Sequence, residues 1–293
     1  MFFIIGLVVV FGSVLGGYMP HGDLAVLNQP LEVLIICGAA LGAFIISNPK
    51  PVLGKVVKTL GRVVKGPPHS KDSYLELLTL LYATFRLAKS KGMLALEPHV
   101  ENPEESELFA NYPSFMGNQA ALTFFCDYLR LLTMGSDNPH EIEALMDEDI
   151  ETLHEEDTHA ASAVTTLGDG LPAFGIVAAV LGVIITMGSI TEPPEVLGGL
   201  IGGALVGTFL GILLAYGLVS PMGNSMKAYA DADIKYIHCI KSGVLAHLNG
   251  YAPAISVEFA RKTLQSHERP SFMEVEEALE GAVTGQAPQG GAV

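Results

Sequence analysis

Charge is scarce in this sequence. Asp, Glu, Lys and Arg make up 16% of its 293 residues, against about 25% in ordinary soluble chains. Two long stretches, 171–190 (LPAFGIVAAVLGVIITMGSI) and 198–221 (GGLIGGALVGTFLGILLAYGLVSP), hold none at all. Basic residues are the scarcer sign: 16 Lys and Arg face 31 Asp and Glu, a formal charge of −15, which excludes nucleic acid as a partner. Cysteine is limited to Cys37, Cys126 and Cys239, far apart and without CxxC or Cys/His spacing. That excludes a disulfide framework and a zinc site and leaves reduced packing residues. There is no nucleophile elbow, phosphate loop or metal-spaced histidine cluster, so no catalytic residues, metal or cofactor are expected. His154, Asp157 and His159 sit in an acidic run and read as surface residues.

What is abundant is apolar length. About half the chain is hydrophobic and its mean hydropathy is positive. A helix rises about 1.5 Å per residue, so about 20 residues cross a hydrocarbon core of roughly 30 Å. The two uncharged stretches, joined by TEPPEV, therefore read as a transmembrane hairpin. Its second arm carries Gly199, Gly203, Gly207 and Gly211 at a spacing of four, a stripe on one helix face that lets another backbone come close. The packing partner is a helix of the same subunit or of another chain. Neither arm holds a carboxylate in its middle. Upstream, 2–19 and 31–47 are also apolar; the first lacks the basic n-region of a signal peptide and reads as a span.

Lys50, Lys55, Lys58, Arg62, Lys65 and Lys71 follow the second run, whereas loops 20–30 and 191–197 have no Lys or Arg. Positive charge marks the cytoplasmic side. The expectation is an all-α membrane protein with four transmembrane helices, both termini cytoplasmic, and a helical cytoplasmic domain. The expected divisions are 1–48 (spans one and two), 49–168 (cytoplasmic domain), 169–221 (spans three and four), 222–280 (C-terminal cytoplasmic helices) and 281–293 (a disordered tail). Within 49–168, helices are expected over 74–95 and 122–134. A long acidic helix then starts at Asn138-Pro139, with Ile142, Leu145, Ile150 and Leu153 on its apolar face. Its ten acids read as a solvated face; the alternative is a docking surface for a basic partner. Ser271 and Glu274 have the spacing of a capping box.

Several long strings resemble the MotA family, the membrane subunits of flagellar-motor stators: DGLPAFGIVAAVLGV, VGTFLGILLAYGLVSP, LNGYAPAISVEFARKTLQSHERPSF, NPHEIEALMDEDIE and GMLALEPHVENPEESELFANYP. The similarity runs to about residue 280. A more distant likeness is to the ExbB/TolQ group. The resemblance implies a non-enzymatic stator subunit in the bacterial inner membrane. It further implies five copies around a dimer of MotB, whose transmembrane aspartate carries the ion, so that the titratable group comes from the partner. The glycine stripe would then face that partner. Pro172 and Pro221 match the family's functional proline pair, which couples ion flow to movement. Pro172 is read in the first turn of span three, where its missing N–H costs little. Pro221 would remove a hydrogen bond to the Gly217 carbonyl and kink any helix that continues past it. Lys89 and Glu97 match the residues that engage the rotor protein FliG. The family's residue at the first is Arg, so the planar fork is lost; Arg86, three residues earlier, could share the role. Sodium-type relatives have a threonine where Ala179 stands; Thr208 matches a threonine of both types. Protons are the expected ion. An ExbB-like energiser of outer-membrane transport and a non-conducting membrane scaffold are the alternatives.

Overall fold

The structure, a computed structural model, describes residues 2–284. It is helical throughout, and no strand occurs among the described residues. In chain order the α-helices are α1 (Phe2–Tyr18), α2 (Leu24–Leu27), α3 (Pro30–Ser47), α4 (Lys50–Lys65), α5 (Lys71–Lys91), α6 (Glu97–Glu101), α7 (Pro113–Met116), α8 (Gln119–Thr133), α9 (Pro139–Gly188), α10 (Pro194–Leu214), α11 (Ser220–Leu248), α12 (Pro253–Lys262) and α13 (Phe272–Thr284). A π-helical turn, Ala215–Val219, joins α10 to α11.

The chain divides into two compact units, 2–67 with 155–230, and 68–154 with 231–284; α9 and α11 each contribute to both. The first unit holds the apolar helices. Among the described residues, three segments are long and apolar enough to cross a membrane: Leu24–Ser47, Pro139–Gly188 and Pro194–Leu248; α1 is a fourth, shorter apolar helix. Their outward side chains are hydrophobic. Leu34, Ile46, Ile184 and Leu205 are each more than 60% exposed. Such a surface is stable only against lipid or another chain. Inside, Ile36 and Ala40 of α3 pack on Leu171, Ala178 and Ala215. Below them, α4 lays Val56 and Val63 on Ala160, Ala161, Val164 and Met226. Its opposite face carries the lysines, and Lys55 reaches Glu156 at 3.0 Å and Asp157 at 2.9 Å.

The second unit is an ordinary water-soluble core. Tyr74, Leu77, Leu78, Leu81 and Phe85 of α5 are buried with Phe109, Phe115, Phe125, Ile142, Met146, Ile240 and Val257. Side chains cap its helices. Ser70 and Ser73 close a capping box at the start of α5, Asn118 accepts from the Ala121 N–H at 3.3 Å, and Gly92, at φ 86°, ends α5. The Ser271–Glu274 capping box forms as its spacing predicts: the Ser271 N–H donates to Glu274 Oε2 at 2.7 Å, and the Glu274 N–H to Ser271 Oγ at 3.2 Å. The buried thiols of Cys126 and Cys239 are pushed up to about 11 and about 12 by desolvation, which keeps them unreactive.

Three readings of the sequence change. The acidic helix and span three are one helix, because Gly168 and Gly170 do not break it. Pro172 therefore lies in a helix interior, not in a first turn. On the acidic helix Leu145 is half exposed and Met146 takes the buried place. The last helix continues through Gly281–Thr284; the rest of the expected tail, 285–293, lies outside the described residues.

Candidate functional site

The hairpin of α9 and α10 is built on missing side chains. A Cβ placed on Gly211 would stand 2.8 Å from the Leu171 carbonyl oxygen and 2.9 Å from Gly175 Cα. One on Gly175 would meet the Gly207 carbonyl oxygen at 2.9 Å, and one on Gly182 would meet Ala204 Cβ at 2.7 Å. All are closer than a real Cβ tolerates, so the two backbones touch along Gly175, Gly182, Gly207 and Gly211. The expectation that the whole stripe faces a partner is corrected. Gly203, Gly207 and Gly211 are buried within their own chain, and Gly199 has open space where a Cβ would go. Close approach within one subunit maximises dispersion contact where no hydrophobic effect separates helices from lipid.

This packing gathers the sequence-expected ion-path residues. The Thr208 Cα lies 3.3 Å from a Gly175 Cβ position, and the Ala179 backbone nitrogen 3.4 Å from a Gly207 one. Both residues are half-buried. Nearer the foot of the hairpin the two prolines meet through their neighbours. Pro172 has no N–H to give the Gly168 carbonyl, and a Cβ on Gly168 would overlap the hydroxyl of Ser220, the residue before Pro221. That hydroxyl is buried with no hydrogen-bond partner among the described residues. Pro221 is exposed, and its expected kink takes a definite form. The Ser220 N–H reaches back to the Ala215 carbonyl, five residues away. The widened turn makes room for the proline ring and absorbs the donor it lacks.

Neither arm of the hairpin holds a carboxylate in its middle, but one reaches the hairpin from a different helix. Glu32 lies in the first turn of α3. Its Oε2 is 3.0 Å from a Gly207 Cβ position, beside Ala178 and Ala179. That atom is buried and has no hydrogen-bond partner among the described residues. The signal was in the sequence: Glu32 is the lone charged side chain in 2–18, 30–47, 171–190 and 196–220 taken together.

Arg86, Lys89 and Glu97 belong to the second unit. All three are exposed, Arg86 and Lys89 one turn apart on α5 and Glu97 at the start of α6. None makes an ion pair among the described residues. By contrast, the acidic helix spends part of its charge within the chain: Lys241 contacts Asp147 at 2.5 Å and Glu143 at 3.9 Å.

Residues 4–92 match the model of the motility protein A N-terminal region, and 117–238 that of the MotA/TolQ/ExbB proton channel family. Motility protein A of Escherichia coli is 48% identical over 278 residues, 94% of each chain. The chain belongs to the motility protein A family. Chemotaxis protein LafT of Vibrio parahaemolyticus is 34% identical, over 94% of this chain and 97% of its own. Among solved structures, the flagellar MotAB stator complex of Bacillus subtilis matches with a TM-score of 0.67 and 25% identity, over 94% of this chain and 98% of that one. The MotAB structure from C. jejuni shares the fold at a TM-score of 0.76, over 92% and 98%. In this motility protein A homologue, then, the glycine-packed hairpin, both prolines and Glu32 share one membrane unit, and the exposed charge trio sits in the helical unit.

Proposed function

We propose that this chain is the membrane subunit of a flagellar stator, which couples proton flow to torque on the rotor. The observation that carries the reading is near full-length identity of 48% to a motility protein A, joined to a match to a proton channel family over the hairpin. The chain spans the inner membrane four times with both termini in the cytoplasm, a reading supported by the basic α4 and by loops 20–30 and 191–197, which have no Lys or Arg. It surrounds MotB, five copies to a MotB dimer, in contact with lipid. The solved MotAB complexes support that partnership.

In this reading Thr208 and Ala179 line the ion path. Ala179 offers no side-chain oxygen, and a dehydrated sodium ion needs several, so protons are the coupling ion. Pro172 and Pro221 convert a change in charge beside the hairpin into movement of α11. One charge crossing about 100 mV releases roughly 2.3 kcal/mol, comparable with the ~3 kcal/mol scale of a proline defect in a helix. Lys89, Arg86 and Glu97, exposed and without an ion pair among the described residues, meet complementary charges on the rotor protein FliG.

The test is complementation. In a non-motile strain lacking its own motility protein A but holding its MotB, this chain restores swimming. Speed follows the proton-motive force and is indifferent to external sodium. Absence of swimming at normal membrane levels of both proteins overturns the stator reading. Loss on sodium removal overturns the choice of ion.

A further inference from the structure

Glu32 of α3 belongs to the first unit. Its position is unusual on three counts. It is the lone charged side chain in the four apolar segments. It stands beside Gly207, close to the midpoint of the apolar stretch 196–220, and beside Ala178, close to the midpoint of 171–190. Its Oε2 is buried without a hydrogen-bond partner among the described residues. A carboxylate that serves only packing is an expensive choice at this depth, since burying an unpaired charge is strongly unfavourable. Ionisable residues in membrane segments mark ion paths and proton relays.

The neighbours sharpen this. Every other side chain of the four apolar segments is uncharged, so no cation from a packed helix neutralises Glu32. The nearest acid upstream, Asp23, is engaged as the cap of α2, accepting from the Ala25 N–H at 2.9 Å. Gln29, one turn outward, approaches the Gly203 position at 3.2 Å and donates to the Val26 carbonyl at 3.2 Å. A polar ladder of Gln29 and Glu32 therefore runs along the glycine face of α10, inward from the α1–α3 connection. Gly207 permits it: a Cβ there would stand 3.0 Å from Oε2, a contact the carboxyl would have to yield to.

We infer that Glu32 is a proton-binding residue of the ion path, an acid contributed by this chain in addition to the partner's. This rests on the stator reading. A hydronium ion arriving from the outer side protonates Oε2 and leaves as water. The O–H bond then breaks toward a carboxylate of the enclosed partner chain, which restores the Glu32 carboxylate. Nothing is oxidised or reduced. The competing role is structural, a neutral hydrogen-bond donor that fastens α3 to α10. Glutamine keeps the shape and the donor but cannot exchange a proton, so it separates the two.

The experiment compares the parent chain with Glu32→Gln and Glu32→Asp in the complementation strain, reading membrane level, rotation speed of tethered cells and its dependence on external pH. Parental rotation is the reference, so a failed stator reading shows as a stationary parent. The expected result is Glu32→Gln at parental membrane level with rotation reduced at least tenfold, and Glu32→Asp rotating with a displaced pH profile. In parallel, the purified complex in lipid vesicles should show an infrared band of a protonated carboxyl that titrates in the parent and is lost in Glu32→Gln. Parental speed in Glu32→Gln overturns the proposal. So does loss of both variants from the membrane, or a Glu32→Asp variant as slow as Glu32→Gln.

Discussion

Gly199 and Gly211 lie on the same helical stripe, yet the structure gives them opposite burdens. A side chain at Gly211 collides with backbone, the Leu171 carbonyl and Gly175 Cα, which cannot swing aside. Gly211→Ala should cost about 1–3 kcal/mol by overpacking and lower the amount of protein in the membrane. Gly199→Ala meets nothing within 4 Å and should gain up to about 1 kcal/mol of helix propensity. Equal membrane levels of the two variants would refute the intrachain packing. In the second unit, His247 stacks on Phe85 at 4.7 Å. Burial, helped by the Lys89 charge, pushes its imidazole below the ordinary 6.5. The folded state therefore favours the neutral ring. Its contribution is complete above pH 6.5 and is lost as pH falls below 6.5 toward the lowered value. Amide exchange in α5 and α11 should accelerate over that interval, and His247→Phe should reduce the effect.

At the scale of elements, the π turn before Pro221 is the clearest consequence of sequence on backbone. It exists because the proline gives no hydrogen bond and crowds the carbonyl four residues back. Pro221→Ala removes both conditions. The turn should relax to α-helix and rotate α11 relative to α10, leaving the protein in the membrane but with little torque. Pro172→Ala should now be comparably severe, since Pro172 is interior to α9 and its orphaned Gly168 carbonyl sits at the Ser220 contact. Swimming beside a membrane-level blot reads both; normal swimming of Pro221→Ala would remove the hinge. The last helix offers a gentler case. The Lys71 ammonium at 2.6 Å, with the Ser271 N–H and hydroxyl, holds the Glu274 carboxyl down to about 2. A depressed acid stabilises the fold above its ordinary 4.5 and ceases to as pH falls from 4.5 toward 2. The docking of α13 should loosen in that interval, and Lys71→Ala should narrow it.

For the whole molecule, one chain carries two kinds of core. The first unit turns many large apolar side chains outward and joins its hairpin through small residues; the second buries its large apolar and aromatic side chains. Lipid therefore belongs around the first, and cysteine labelling tests the orientation. A cysteine at Glu195 should react with an impermeant thiol reagent from outside intact cells, and one at Lys71 should not. Labelling at Lys71 would reverse the topology.

Fold class, the apolar helices and the capping box were legible in the sequence because each follows from local chemistry: hydrophobic length, the sign of flanking charge, a side chain three residues from a backbone N–H. The pairing of the two uncharged stretches as a hairpin was legible too, and with it the placing of Pro172 and Pro221 toward one end of the arms. Three things did not. The continuity of α9 through Gly168, Gly170 and Pro172 depends on α11 packing there, and intrinsic helix propensity argues against it. The stripe from Gly203 to Gly211 could have served any neighbour, because a missing side chain carries no address. The depth of Glu32 was hidden as well. Numbered from its own helix it sits at an end, and only the offset of α3 against α10 brings that end to the middle of the hairpin.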